Sequence, residues 1–325
     1  MGIVQELAPE FLTAVQSASS VLIGTHLNPD GDALGSALAV SHWLDAMGIA
    51  NEVLCHHMPP RNLRFLPGVS RIRQTPKEDK YDLGIVVDLD SLERLGNTEP
   101  FFSSCERTIF IDHHVPHDAP GDIRIVDTAA PATAVILTRL MHELQVEISP
   151  DIATCLITGI VTDTGSFRFR NTTPESLSLA AQLLEQGGNI NLVSEQVFQS
   201  KPISSARLLG YALERMCLDC DDRICWSVLT IDDFEQNHAT DEDTEGFVNE
   251  LLTIETVQIS AILREPKRGK IRCSLRSRGA YDVAAVARTF GGGGHRNAAG
   301  CNFEGAVSDA VEQLVVELKR CLESC

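Results

Sequence analysis

The sequence predicts an α/β protein: a doubly wound, mainly parallel sheet followed by a smaller α/β C-terminal domain. Three observations predict it. Short apolar runs at 21–23, 81–87 and 108–111 alternate with helical patterns, as in a parallel sheet covered on both faces. Each run ends on ionisable side chains, and open α/β sheets collect their strand C-termini along one edge. The chain has 325 residues, enough for two domains with full cores, and Gly187-Gly188 closes the first of them.

The elements follow in order. Val21-Leu22-Ile23 reads as a buried strand, and His26, Asp30 and Asp32 follow it within ten residues. Ala33 to Met47 carries Leu34, Leu38, Ser41, Leu44 and Met47 at helical spacing and stops at Gly48. Asn51 to Cys55 is a short strand, and residues 56–80 are a Pro- and Arg-rich loop. Tyr81 to Asp88 is a strand ending on a carboxylate, and Thr108 to His114 a strand ending on Asp112-His113-His114. Pro131 to Leu144 is helical. Ser149-Pro150 is an N-cap with Pro at the first helical position, and that helix delivers Asp163 at its end. Thr173-Pro174-Glu175 opens one more helix. We therefore expect a catalytic domain over 1–188, a helical connector over 189–218 and a second domain over 219–325. In the last, Ile224 to Ile231 and Val257 to Leu263 read as strands, and Lys270 to Ser277 pairs back through a turn at 266–269. Tyr281 to Phe290 is a helix, Gly291 to Gly294 a glycine run, and Ala306 to Cys321 a final amphipathic helix.

Composition narrows the function. The formal charge of −18 argues against holding long nucleic acid. No apolar stretch has membrane-spanning length, and the N-terminus lacks the basic and cleavage features of a signal peptide, so the expected place is the cytoplasm, with no membrane partner. There the ten Cys read as small apolar residues rather than disulfides. Cys217, Cys220 and Cys225 lack an evident fourth ligand for zinc.

Two constellations carry chemistry. The first is His26, Asp30, Asp32, Asp88, Asp112, His113, His114 and Asp163. Nitrogen and oxygen donors without thiolate suit manganese, magnesium or iron. Two divalent ions a few ångströms apart can activate one water and stabilise a leaving oxygen, and such a pair usually shares a carboxylate. Asp88, ending a central strand, is the natural bridge. Four carboxylates against two divalent ions leave the site near neutral, so a phosphate would need a further His or Arg nearby. The bland alternative is an Asp/Asn/Gly turn with a chance His and a surface His pair. The second constellation is basic. Seven Lys or Arg lie between Arg264 and Arg278. Lys270, Arg272, Ser274, Arg276 and Arg278 share one strand face, opposite Ile271, Cys273 and Leu275. Four glycines followed by His295-Arg296 would let backbone N–H groups meet a phosphate. The alternatives are a solvated face and a flexible linker.

Five blocks in order, HLNPDGDALGS, VVDLD, DHH at 112–114, GIVTDTGSFRF and GGGGHRNAAG, resemble the DHH phosphoesterase superfamily with its DHH-associated C-terminal domain. Within it the layout is similar to the compact bacterial oligoribonucleases (nanoRNases) with 3′-phosphoadenosine 5′-phosphate phosphatase activity. The resemblance implies two divalent ions, most often Mn2+. It implies His26, Asp30 and Asp88 on one ion, and Asp32, Asp88, His113 and Asp163 on the other. His114 would contact the scissile phosphate and Asp112 would support it. Arg276, Ser277, His295 and the Gly291, Gly292, Gly293 and Gly294 backbone would hold the substrate's far phosphate or nucleotide, with the active site in a cleft between the domains. Asp90 receives no role. The implied reaction is hydrolysis of short oligoribonucleotides to nucleoside monophosphates, or of the adenosine bisphosphate to AMP and phosphate. The partners are then a small anionic nucleotide or short RNA, and a homodimer is left open. Competing readings are a phosphodiesterase for cyclic or linear dinucleotides and a catalytically silent nucleotide-binding protein.

Overall fold

The computed structural model describes residues 2–115 and 121–323. Contacts divide the chain into two units, Met1–Ser200 and Lys201–Cys325.

The first unit is built on five parallel strands, β1 (Ser20–Gly24), β2 (Ala50–Leu54), β3 (Leu83–Val87), β4 (Arg107–Asp112) and β5 (Ile123–Val126), in the order β2-β1-β3-β4-β5. Its helices are α1 (Ile3–Ser17), α2 (Gly31–Ala46), α3 (Glu99–Ser103), α4 (Thr133–Glu143), α5 (Pro150–Asp163), α6 (Pro174–Glu185) and α7 (Ile190–Phe198). The strands are apolar because both faces are covered. Val21, Ile23, Ile85, Val87, Ile109 and Ile111 turn into the large core beneath α1, α2, α4 and α5. Leu22, Val86 and Phe110 turn to the other face, where Phe102 of α3 and Leu95 cover them.

The strands end earlier than expected: Asp88, His113 and His114 lie one or two residues beyond the last ladder position. Chain reversal begins there, which frees these side chains from the pleat. The order reverses at β1, between β2 and β3, so the turns after β1 and β3 diverge and leave a crevice at the carboxyl edge. α1, α3 and β5 were not anticipated. α1 buries Val4, Ala8, Phe11 and Val15 at helical spacing, and Phe11 stacks on Trp43 with centroids 5.6 Å apart. β5 is a four-residue edge strand, too short to show a period.

The second unit carries a mixed six-stranded sheet in the order β10-β11-β9-β8-β7-β6. Its strands are β6 (Cys217–Asp219), β7 (Ile224–Leu229), β8 (Ile259–Lys267), β9 (Lys270–Ser277), β10 (Gly293–His295) and β11 (Ala298–Glu304). Its helices are α8 (Ile203–Glu214), α9 (Ile231–Gln236), α10 (Phe247–Leu252), α11 (Val283–Thr289) and α12 (Val307–Glu323). One face packs on α11 and α12 through Ile271, Cys273, Leu275, Leu314 and Leu318, the other on α8, α9 and α10 through Ile262, Leu208, Phe234 and Phe247. The glycine run is itself part of the sheet, which sets aside the flexible-linker alternative: Gly293 and Gly294 pair with Gly300 and Ala299. Among the described residues, no helix is long and apolar enough to cross a membrane.

α2 and α5 approach each other closely at two glycines. A Cβ on Gly35 would sit 2.3 Å from the Cys155 carbonyl oxygen, and one on Gly159 would sit 2.4 Å from Asp32 Oδ1. Backbone on one side leaves no rotamer escape for Gly35. We expect Gly35→Ala to destabilise the first unit by about 2 kcal/mol, read as a lower urea midpoint with an unchanged slope.

Candidate metal centre and active site

Six side chains converge at the carboxyl edge of the first sheet. His26 follows β1, and its Nδ1 lies 2.6 Å from the Leu27 carbonyl, to which it donates. That bond fixes the tautomer and turns Nε2 toward Asp88 Oδ2 at 3.3 Å and Asp30 Oδ1 at 3.8 Å. His113 repeats the device. Its Nδ1 meets the Ala130 carbonyl at 3.2 Å, and Nε2 points to Asp163 Oδ2 at 3.2 Å and Asp88 Oδ1 at 3.5 Å. This Nε2 is buried and has no hydrogen-bond partner among the described residues. A buried orphan nitrogen aimed at two carboxylates is what a ligand position looks like.

Two of the four carboxylates, Asp30 and Asp32, are held by backbone N–H groups. Asp30 caps α2, its Oδ1 accepting from the Asp32 and Ala33 N–H groups. Asp32 is fully buried and sits on the N-terminus of α4: Oδ2 accepts from Thr133 N–H at 2.6 Å and Oδ1 from Ala134 N–H at 2.9 Å. Helix N-termini stabilise anions in this way. Asp88 adopts a left-handed backbone, φ 57°, and is 1% exposed. Such a conformation is costly for a non-glycine residue and marks a position the surroundings enforce. Thr133 Oγ1 donates to Asp88 Oδ1 at 2.9 Å. Asp163 ends α5, where Asn171 Nδ2 donates to its carbonyl.

Two ligand triads result, His26–Asp30–Asp88 and Asp32–His113–Asp163, each with its donor atoms within 4.8 Å of one another. Asp88 also forms a third group with His113 and His114, so its carboxylate stands between the two triads. Among the described residues, the groups able to hold a metal include none of the CxxC cysteines. His114 Nδ1 lies 2.8 Å from Asp112 Oδ1, which also accepts from the His113 N–H. This orients the His114 ring as an Asp–His pair would. The opposite Asp112 oxygen, Oδ2, is buried and unpaired among the described residues.

The electrostatics fit a cation. Burial, then the charges of Asp88 and Asp30, raises the Asp32 pKa well above the carboxylate range. Burial, then Asp32, Asp30 and Asp88, does the same to Asp163. Burial works against charged His26, but hydrogen bonds to Asp30 and Asp88 and their charge outweigh it and push its pKa up to about 10. Burial also opposes an anionic Asp88, yet the His26 hydrogen bond and the charges of His26, His113 and His114 hold it below the usual range. Protons gather at this cluster because positive charge is wanted there, and divalent ions would take their place.

The second unit brings the basic strand together as expected, with Lys270 and Arg272 exposed and Ile271, Cys273 and Leu275 buried. Much of that face is already partnered. Arg264 and Arg272 both reach Asp241, Lys270 pairs with Glu304, and Arg278 donates to carbonyls at 252, 254 and 255. Arg276 is half-buried, and burial and neighbouring Arg264 lower its pKa. Ser277, expected to contact substrate, is buried, donates to the Tyr281 carbonyl at 2.7 Å and accepts from Asn297 Nδ2, so it also holds the turn. The glycine run has packing reasons of its own. A Cβ on Gly292 would sit 2.2 Å from the Gly300 oxygen and one on Gly294 2.5 Å from the Ala298 oxygen, whereas Gly293 faces open space. His295 is exposed at the end of β10.

Thr133 and Ala134 are the site residues that sequence reasoning missed. The available signal was a helix start, Pro131-Ala132-Thr133, whose free N–H groups had to face something.

The model of the DHH family's N-terminal domain matches residues 20–160, and that of the DHHA1 domain matches residues 222–324. The chain belongs to the DHH family. It is 35% identical over 97% of its length to the bifunctional oligoribonuclease and PAP phosphatase NrnA of Thermus thermophilus, covering 93% of that protein. It is 28% identical over 96% of its length to the probable enzyme of the same name from Streptococcus mutans, covering 98% of it. A crystal structure of an exopolyphosphatase-related protein from Bacteroides fragilis superposes with a TM-score of 0.91 at 29% identity, covering 98% of this chain and 96% of that one.

Asp88 belongs to two of the candidate groups and His26 to one, so we expect Asp88→Asn to weaken Mn2+ binding more than His26→Ala does; calorimetric titration with Mn2+ reads the difference. Because the ligands must shed protons, metal affinity should rise with pH, roughly tenfold per pH unit for each proton displaced.

Proposed function

We propose that this protein is a metal-dependent phosphoesterase that cleaves short oligoribonucleotides to nucleoside monophosphates and 3′-phosphoadenosine 5′-phosphate to AMP and phosphate. The observation that carries this reading is the adjacency of two N/O ligand triads around Asp88, with His114 at their edge. The activities named for the Thermus thermophilus and Streptococcus mutans relatives support the same choice.

In this reading two Mn2+ ions bind, one to His26, Asp30 and Asp88 and one to Asp32, Asp88, His113 and Asp163. When bound they supply Lewis acidity and a nucleophile at neutral pH. The chain does the rest. Hydrogen bonds from α4 keep Asp32 and Asp88 in one orientation, so little reorganisation accompanies charge development. Asp112 holds His114 as a cationic donor for a non-bridging phosphate oxygen. Burial disfavours that charge, but the Asp112 hydrogen bond and the charges of Asp88 and Asp112 outweigh it and raise the His114 pKa.

We assign a separate anion-holding role to Arg276, His295 and the Gly291–Gly294 backbone, which would grip a substrate's far phosphate and so set length preference. The nine described cysteines are free, which supports a cytoplasmic, reducing location.

A substrate panel with Mn2+ tests the reading: adenosine bisphosphate, dinucleotide, pentanucleotide, long single strand, cyclic dinucleotide and pyrophosphate. We expect the first three to be turned over fastest, and pyrophosphate as the best substrate would refute the assignment. His295→Ala should raise KM for terminally phosphorylated substrates with a smaller change in kcat; an unchanged preference removes the anion-holding role.

A further inference from the structure

Phosphate brings negative charge that the metal turn does not neutralise by itself. Asp30, Asp32, Asp88 and Asp163 offset two divalent ions, so the site is near neutral before substrate arrives. A diester adds one negative charge and a terminal monoester close to two. A cation beside the ligands is therefore required, and more so for the monoester.

The fold presses the backbone of a segment that carries such a cation against the metal turn. Residues Leu92–Thr98 form a 3-10 segment lying directly on the turn after β1. Leu27 N–H donates to the Arg94 carbonyl at 2.7 Å, and Asn97 N–H donates to His56 Nδ1 at 2.9 Å. Gly96 makes this approach feasible: at φ 58°, a Cβ would meet Leu27 Cδ2 at 2.5 Å and His56 Nδ1 at 2.6 Å. Arg94 is thus fixed one residue from His26 through Leu27. Its guanidinium Nη1 stands 3.4 Å from Asp90 Oδ1, and Asp90 lies two residues beyond Asp88. The Arg94 side chain is 35% exposed, so a ligand can reach it. An ion pair this long and this exposed adds little to stability. A planar fork beside a phosphate site, by contrast, gives bidentate recognition.

We propose that Arg94 clamps the substrate's scissile phosphate, that Asp90 is its positioning residue, and that the pair sets the balance between monoester and diester hydrolysis. This rests on the phosphoesterase reading and goes beyond it by naming what separates the two activities. The dianionic monoester depends on Arg94 more than the monoanionic diester does.

The test uses the full-length protein with Mn2+, adenosine bisphosphate and a dinucleotide as substrates, and the variants Arg94→Ala, Arg94→Lys, Asp90→Ala and the double alanine variant. Arg94→Ala should lower kcat/KM about 100-fold on the bisphosphate and about tenfold on the dinucleotide, within the range of one charge-assisted contact. Arg94→Lys should recover part of the loss, since the charge remains and the fork does not. Asp90→Ala should raise KM severalfold alone and add nothing in the Arg94→Ala background. Melting temperature and Mn2+ affinity should stay at wild-type values. Equal losses on both substrates, wild-type kinetics in Arg94→Ala, or a fall in Mn2+ affinity that tracks the activity would overturn the proposal while leaving the phosphoesterase reading intact. Wild-type protein that hydrolyses neither substrate would overturn both.

Discussion

Four carboxylates drawn to one sheet edge are the constraint on which the first unit depends. Left alone they repel, and three of them are largely removed from water. The fold answers with directed dipoles rather than with lysines. α4 turns its N-terminus to Asp32, Thr133 donates to Asp88, and the Asp30 carboxylate folds back on the start of α2. The two histidines anchored to carbonyl oxygens complete the ring. Each of these groups stabilises an anion while leaving space in the middle, which is how an ion-binding centre differs from a salt bridge.

The clustering of these His and Asp residues was legible in the sequence because strand C-termini in a parallel sheet share an edge, and because HLNPDGD, Asp88, DHH and Asp163 each follow an apolar run or end a helix. The parallel sheet was legible for the same reason. What supports the ligands was not. Thr133 acts through a backbone N–H and a hydroxyl in a stretch whose composition is that of an ordinary helix start. α1 was tested in the sequence only against a signal peptide, although Val4, Ala8, Phe11 and Val15 lie at helical spacing. β5 has too few residues to carry a period.

The second unit shows how a correct pattern can overstate a site. The alternation along β9 is as expected, yet Asp241, Glu304 and backbone carbonyls answer most of its cations, and Ser277 faces inward. The glycine run similarly owes Gly292 and Gly294 to the closeness of β11. Charge and glycine content record packing demands as well as ligand demands, and only the three-dimensional neighbours separate them. Gly293 faces open space, and His295 is exposed at the end of β10.

The helix contacts on the carboxylates have one more consequence, for ion selectivity. Asp30 uses Oδ1 on its cap, Asp32 engages both oxygens with α4, and Asp88 gives Oδ1 to Thr133. None is at liberty to swing round and chelate through two oxygens at once. Calcium, which favours six to eight oxygens and bidentate carboxylates, finds few of them here. Smaller ions content with single-oxygen contacts and imidazole nitrogen lose nothing by the arrangement. The contacts that quiet the repulsion between the aspartates would thereby also weigh on which ions such a cluster admits.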